Sequence, residues 1–215
     1  MVGPGTFERV YAAIKEQLRR GSYRPGERLE PAILSDQHNA SVTPVRDALH
    51  RLTGERLIEA PRHEGFRVPV MTEGMLRHLY AWQRDLLFLA LLNRRAPREL
   101  ETGAIADEAV HERQNAIFLA LVRMTGNPEH VLTFESLAER LEPVQRLVPQ
   151  VLDAIEQEAG DIVAALDAQD RKALRRALVR YHRRRLQIAP ELIERLYARD
   201  RMESSFKSPE DRTSD

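Results

Sequence analysis

The chain contains no cysteine, and that absence removes disulfides, thiolate nucleophiles and thiolate-ligated zinc together. A reducing compartment is compatible with it. There is also no run of 18 apolar residues, the length needed to cross a bilayer as a helix. The longest run, residues 86–92, is closed off by Asp85 and Asn93. Residues 1–5 lack the charged-then-apolar pattern of a secretory signal, so the expectation is a soluble, cytoplasmic protein with no membrane partner. An excess of either charge is missing too: 33 Lys plus Arg face 33 Asp plus Glu. A uniformly basic surface is thereby excluded, and affinity for nucleic acid has to come from a local patch. Neither a glycine-rich phosphate cradle nor a nucleophile elbow occurs, and no acid–base arrangement stands above the solvated carboxylates. No catalytic residue is assigned, and an enzyme is the weakest class.

What is present is helical periodicity with one interruption. Phe7, Val10, Tyr11, Ile14 and Leu18 recur at spacings of three and four, which predicts an amphipathic helix over 6–20 ended by Gly21. Pro25 fixes its own backbone angle and Gly26 tolerates a positive one, so 21–26 reads as a turn. Pro31 can open a short second helix to about residue 38, with Leu34 as its inward anchor. After the break at Asn39-Ala40, Ser41 or Thr43 can cap a third helix with Pro44 in its first turn and Val45, Leu49 and Leu52 on its buried side. Residues 57–60 and 66–70 then read as short strands of a hairpin whose charged loop spans 61–65. Three helices and a hairpin make a winged helix-turn-helix. From Thr72 onward only helical patterns appear, at about 73–93, 105–124, 129–142, 144–168, 171–187 and 190–202, with Pro97 and Gly103 breaking the first pair and a stop at residues 125–128.

The third helix, SVTPVRDALHRL, has the composition a major groove needs. Ser41 and Thr43 offer short hydroxyls beside backbone N–H groups for phosphate, and Arg46 one turn in can reach a guanine edge or a backbone oxygen. Arg46 is equally compatible with a salt bridge when read alone, and Arg51 can pair with a carboxylate instead. In the hairpin loop, Arg62, His63 and Arg67 surround Gly65, where a tip without a side chain approaches a minor groove closely; a solvated turn in which Arg62 and Glu64 neutralise each other is the alternative.

Residues 11–70 resemble the DNA-binding half of the GntR family of bacterial transcription regulators. YAAIKEQLRRGSYRPGERL, TPVRDALHRL and ERLIEAPRHEGFRV fall in that family's order of helix, turn, recognition helix and wing. The resemblance implies that Arg46 is the DNA-contacting arginine of the PVREAL motif, with Asp47 replacing a glutamate. Val42 stands where the pattern carries another arginine, so operator sequence or affinity should depart from the family norm. Residues from about 73 to 200 resemble the FCD effector domain of the FadR-like branch, whose members are usually homodimers on palindromic operators that respond to small carboxylates.

FCD domains often hold a metal through D-x-x-F-H and later histidines. Here the motif reads Asn115-Ala116-Ile117-Phe118-Leu119, and Ala159 and Tyr181 fall at the later positions, with His182 one residue beyond. The metal site is expected to be absent, and no cofactor is expected. Arg84, matching the arginine of the R-x-x-L-E motif, could clamp a carboxylate bidentately with help from Asn115 and Tyr181, or it could sit in an ion-pair network or a dimer interface. The expected fold is mainly α: a winged helix-turn-helix over 1–71, a helical effector-binding and dimerisation bundle over 72–202, and a polar tail over 203–215. The function expected is a homodimeric regulator of operator DNA, by default a repressor modulated by a small organic acid. A constitutive or architectural DNA-binding protein with a ligand-insensitive bundle is the alternative, and an interaction module that has lost DNA recognition is a third reading.

Overall fold

The computed structural model describes residues 5–93 and 109–204, with side chains through residue 198. The expected break at Pro97 and Gly103 lies outside the described residues, as does the tail beyond 204.

The head begins with α1 (Thr6–Arg19), whose Val10 and Ile14 are wholly buried. Next come β1 (Arg28–Leu29), α2 (Pro31–Gln37) and α3 (Val42–Gly54). α3 packs on both earlier helices. Val45, Leu49 and Leu52 close this contact with no exposed surface, each contributing roughly 1.5 to 3 kcal/mol of apolar burial. Pro31 occupies the first turn of α2, where its missing N–H has no intrahelical partner to lose.

The hairpin differs from its expected form. Only β2 (Phe66–Arg67) is a strand there, and it pairs antiparallel with β1, in register Arg28 to Arg67 and Leu29 to Phe66. Residues 57–60 contribute a single bridge, Glu59 to Arg67. Leu57 and Ile58 are both buried, so their consecutive apolar pair anchors the segment instead of alternating as a strand face does. Arg67 thus lies between Glu59 and Arg28.

The body opens with α4 (Glu73–Asn93) and continues through α5 (Val110–Arg123), α6 (Pro128–Gln145), α7 (Ile155–Asp167), α8 (Arg171–Gln187) and α9 (Ala189–Ser204). α4 packs against α5, α6, α8 and α9, which places it at the centre of the bundle. Between α5 and α6, Gly126 takes the left-handed conformation at φ 70°, and the Asn127 side chain accepts a hydrogen bond from the Glu129 N–H at the new helix start.

One expected helix is two segments. The stretch 144–168 divides at a 3-10 turn, Val148–Gln150, and α7 starts only after Ala154, whose φ is 54°. Pro149 removes a backbone donor at that point, and buried Val148 pins the turn to the bundle. The apolar spacing continues across the break, which is why periodicity alone joined the two.

Head and body each have their own apolar cluster, one around Val10, Leu49 and Phe66, the other around Leu87, Phe118 and Leu178. They meet where α1 touches α6. Lys15 lies 2.8 Å from Glu139 at this contact, and Arg19 lies 3.9 Å from Glu142.

Candidate nucleic-acid interface

The start of α3 is open to solvent. Ser41 occupies the N-cap position but makes no side-chain capping bond, and Ser41, Val42, Thr43, Arg46 and Asp47 are all exposed. The hydroxyls and the unpaired N–H groups of this first turn therefore face outward, as anion recognition requires. Arg46 makes no ion pair or hydrogen bond within the described residues, so its guanidinium has all its donors available. Arg9 sets the turn before α3 by donating to the carbonyls of His38 and Asn39 at 2.8 and 3.3 Å.

Arg51 is placed otherwise. It lies 3.3 Å from Glu55 and stacks over the Tyr11 ring at 4.1 Å, contacts that tie the end of α3 to α1. The contact with Glu55 is the carboxylate pairing that its sequence offered as one alternative.

At the wing tip, His63 and Gly65 both take left-handed backbone, at φ 64° and 75°. Space around Gly65 is open, so the need for glycine there comes from the backbone angle and not from crowding. Arg62 and His63 are exposed, and Arg62 has no ion-pair partner among the described residues. Glu64 is matched instead with Arg67 at 3.1 Å, while Arg67 also meets Glu59 at 3.0 Å. Arg67 accordingly braces the wing, and Arg28 adds a bond to the Glu64 carbonyl at 3.1 Å. Arg28 was not among the sequence candidates, because a two-residue strand carries no alternation by which to place it on the wing.

In the body, the three effector candidates do not converge. Arg84 is paired with Asp85 at 2.9 Å and opens onto a surface cleft shared with Phe88, Val179 and His182. Tyr181 is buried against Phe118, and Asn115 donates to Gln145 at 2.9 Å. One residue of helical rotation separates inward Gln83 from outward Arg84. The interior guanidinium belongs to Arg185, which stacks 3.7 Å from Tyr181 and pairs with buried Glu158. Sequence reading missed it, because a run of arginines on α8 gives no sign of which one turns inward.

These groups fill the bundle interior. The cavity left between His111, Gln114, Gln145, Tyr181 and Arg185 measures about 10 Å³, room for about one water. His182 lies one position off: its Nδ1–H donates to the Leu178 carbonyl at 2.8 Å, and burial lowers its pKa to about 4. His111 is buried, with Nε2 3.1 Å from Glu142. His111, Glu112 and Glu142 form the cation-sized cluster found among the described residues, but Arg146 already lies 3.3 and 3.1 Å from the two carboxylates. Burial works against the Glu142 charge, yet His111, Arg19 and Arg146 prevail and hold its carboxyl below the usual range.

The architecture is that of a winged helix-turn-helix head joined to an all-helical body. Residues 6–68 match the family described as bacterial regulatory proteins, gntR family, and this N-terminal unit is a gntR-family helix-turn-helix domain. Among curated relatives from Escherichia coli (strain K12), the HTH-type transcriptional regulator McbR is 27% identical over 186 residues, covering 86% of this chain and 64% of McbR. The HTH-type transcriptional repressor GlaR is 29% identical over 98 residues, covering 45% of this chain and 44% of GlaR. The chain thus spans less than two thirds of the length of these two relatives. A solved GntR regulator from Rhodococcus sp. RHA1 shares the fold with a TM-score of 0.73 at 19% identity, over 86% of this chain and 97% of its own. The E. coli McbR/YncC structure gives 0.63 at 23% identity, over 87% of this chain and 98% of its own. The matched family and these relatives are transcriptional regulators, not enzymes. No helix among the described residues is long and apolar enough to cross a membrane.

Proposed function

We propose that the protein is a homodimeric transcription regulator whose heads, residues 1–71, each read one half-site of an operator in double-stranded DNA. The observation that carries this reading is the outward face of α3, where exposed Ser41, Thr43 and unpaired Arg46 stand on a back sealed by Val45, Leu49 and Leu52. Arg62 and His63 at the wing tip supply a second contact, to the minor groove or its phosphates. Repression is the direction proposed, in line with the name of the relative GlaR.

Residues 72–202 join the subunits in this reading. Met75, Trp82 and Leu89 repeat every seven residues along α4 and remain 36, 48 and 36% exposed. A stripe of this spacing stays on one side of a helix and suits coverage by a second copy.

The nearly filled bundle interior favours an FCD-like domain that holds no organic acid at Arg84, Asn115 and Tyr181. The scaffold alternative therefore carries weight for that interior site.

Native-gel retardation of the protein's own promoter region tests DNA reading. Arg46→Ala should weaken binding by about tenfold to a hundredfold with the melting temperature unchanged, and raising salt from about 0.05 to 0.2 M should weaken wild type by orders of magnitude. Equal retardation by wild type and variant would remove Arg46 from the interface.

A further inference from the structure

An apolar cleft lies between head and body, away from the bundle interior. It measures about 540 Å³, within the range that takes a small organic molecule. Its walls come from both parts: Ala60 and Val68 from the wing segment, and Pro143 and Val144 from α6. Two arginines also line it, Arg56 just past the end of α3 and Arg140 on α6.

The charges around this cavity do not balance. Its two acids are already matched by cations, Glu139 with Lys15 at 2.8 Å and Glu59 with Arg67 at 3.0 Å. The side chains of Arg56 and Arg140 have no ion-pair or hydrogen-bond partner among the described residues. Burial and the charge of Arg56 both hold the Arg140 pKa below its ordinary value. Arg56 also sits in left-handed backbone at φ 62°, a conformation that disfavours a residue with a Cβ and that persists only where its surroundings fix it. Two unmatched guanidiniums beside an apolar wall call for an occupant with negative charge at one end and hydrocarbon at the other.

We propose that this cleft is a binding site for an organic anion with an apolar body, its carboxylate or sulfonate held by Arg56 and Arg140. The occupant would touch α3 and the wing on one side and α6 on the other. Its affinity would therefore depend on how the head is set on the body, which couples it to operator reading. This extends the regulatory reading above, but binding is measured without DNA, so the two can fail separately.

The test uses the whole chain and two probes followed by fluorescence: the aromatic sulfonate 1-anilinonaphthalene-8-sulfonate and the neutral N-phenyl-1-naphthylamine. Wild type should bind the sulfonate at one saturable site per chain. Arg56→Gln combined with Arg140→Gln should weaken the sulfonate by about tenfold or more and leave the neutral probe's affinity unchanged. Ala60→Trp, at an exposed position on the cavity wall, should weaken both probes. Far-UV circular dichroism establishes that each variant is folded. Sulfonate affinity unchanged in the double glutamine variant, unchanged in Ala60→Trp, or never saturable in wild type would overturn the assignment.

Discussion

The Lys15 ammonium stands 2.8 Å from the Glu139 carboxylate and so joins the first helix of the head to the third helix of the body in chain order, α6. The same ammonium lies 2.9 Å from Glu55, immediately after the recognition helix. Burial opposes its charge, but Glu139, Glu55 and the Tyr11 hydroxyl outweigh that and raise its pKa above the ordinary range. One side chain thus fixes α1 to α3 and the head to the body.

Lys15→Met should therefore lower stability by about 1 to 2 kcal/mol, the range for a charge-assisted bond lost between partly buried partners. Thermal denaturation measures it. A cycle with Glu139→Gln should show non-additivity of about 0.5 kcal/mol or more; additive losses would mean that the pair contributes nothing across the head–body contact.

The buried pair of Glu158 and Arg185 gives a second prediction. Arg185→Leu removes a partner of Glu158, which is 1% exposed, leaves it Arg184 at 3.1 Å among the described residues, and should destabilise by about 3 to 5 kcal/mol. Glu158→Leu together with Arg185→Leu should recover much of that loss, since neither partner then leaves an unmatched charge at that position. Urea denaturation of the three proteins checks this; a double variant no better than the single one would show that packing, not charge, governs the site.

His182 gives a pH dependence. Its pKa falls from 6.5 to about 4 in the folded chain because burial disfavours the imidazolium. The unfolded chain takes up the proton first as pH drops, so stability is full above about pH 6.5 and declines as pH falls toward about 4, by on the order of 3 kcal/mol. His182→Phe should flatten stability against pH in that window, measured by denaturation at a series of pH values. An unchanged slope would place the effect on another group.

On α4, Trp82→Asp with Leu89→Asp should weaken self-association by about tenfold or more while leaving the helical spectrum intact. Sedimentation velocity distinguishes dimer from monomer; a dimer that persists unweakened would move the proposed interface to another surface.

Much of the head was legible because its signals are local. Pro31, Gly21, and the apolar set Val45, Leu49 and Leu52 fix where helices begin, end and turn inward, through backbone geometry and a 3.6-residue period. β1 escaped notice because two residues make no pattern, and the break at Pro149 was hidden by apolar spacing that runs across it. Arg51 could be named as basic from the sequence, but whether it meets Glu55 or a phosphate depends on where α1 lies.

The order of residues by itself determined a winged head and a helical body, since helical period, caps and turn residues act over a few positions along the chain. Only the tertiary structure decided that Arg185 and not Arg84 turns into the bundle, that Arg146 matches the carboxylates beside His111, and that Arg56 and Arg140 meet at one cleft. Charges far apart in sequence become partners or remain unmatched according to which helix faces pack, and packing is settled by the whole core at once.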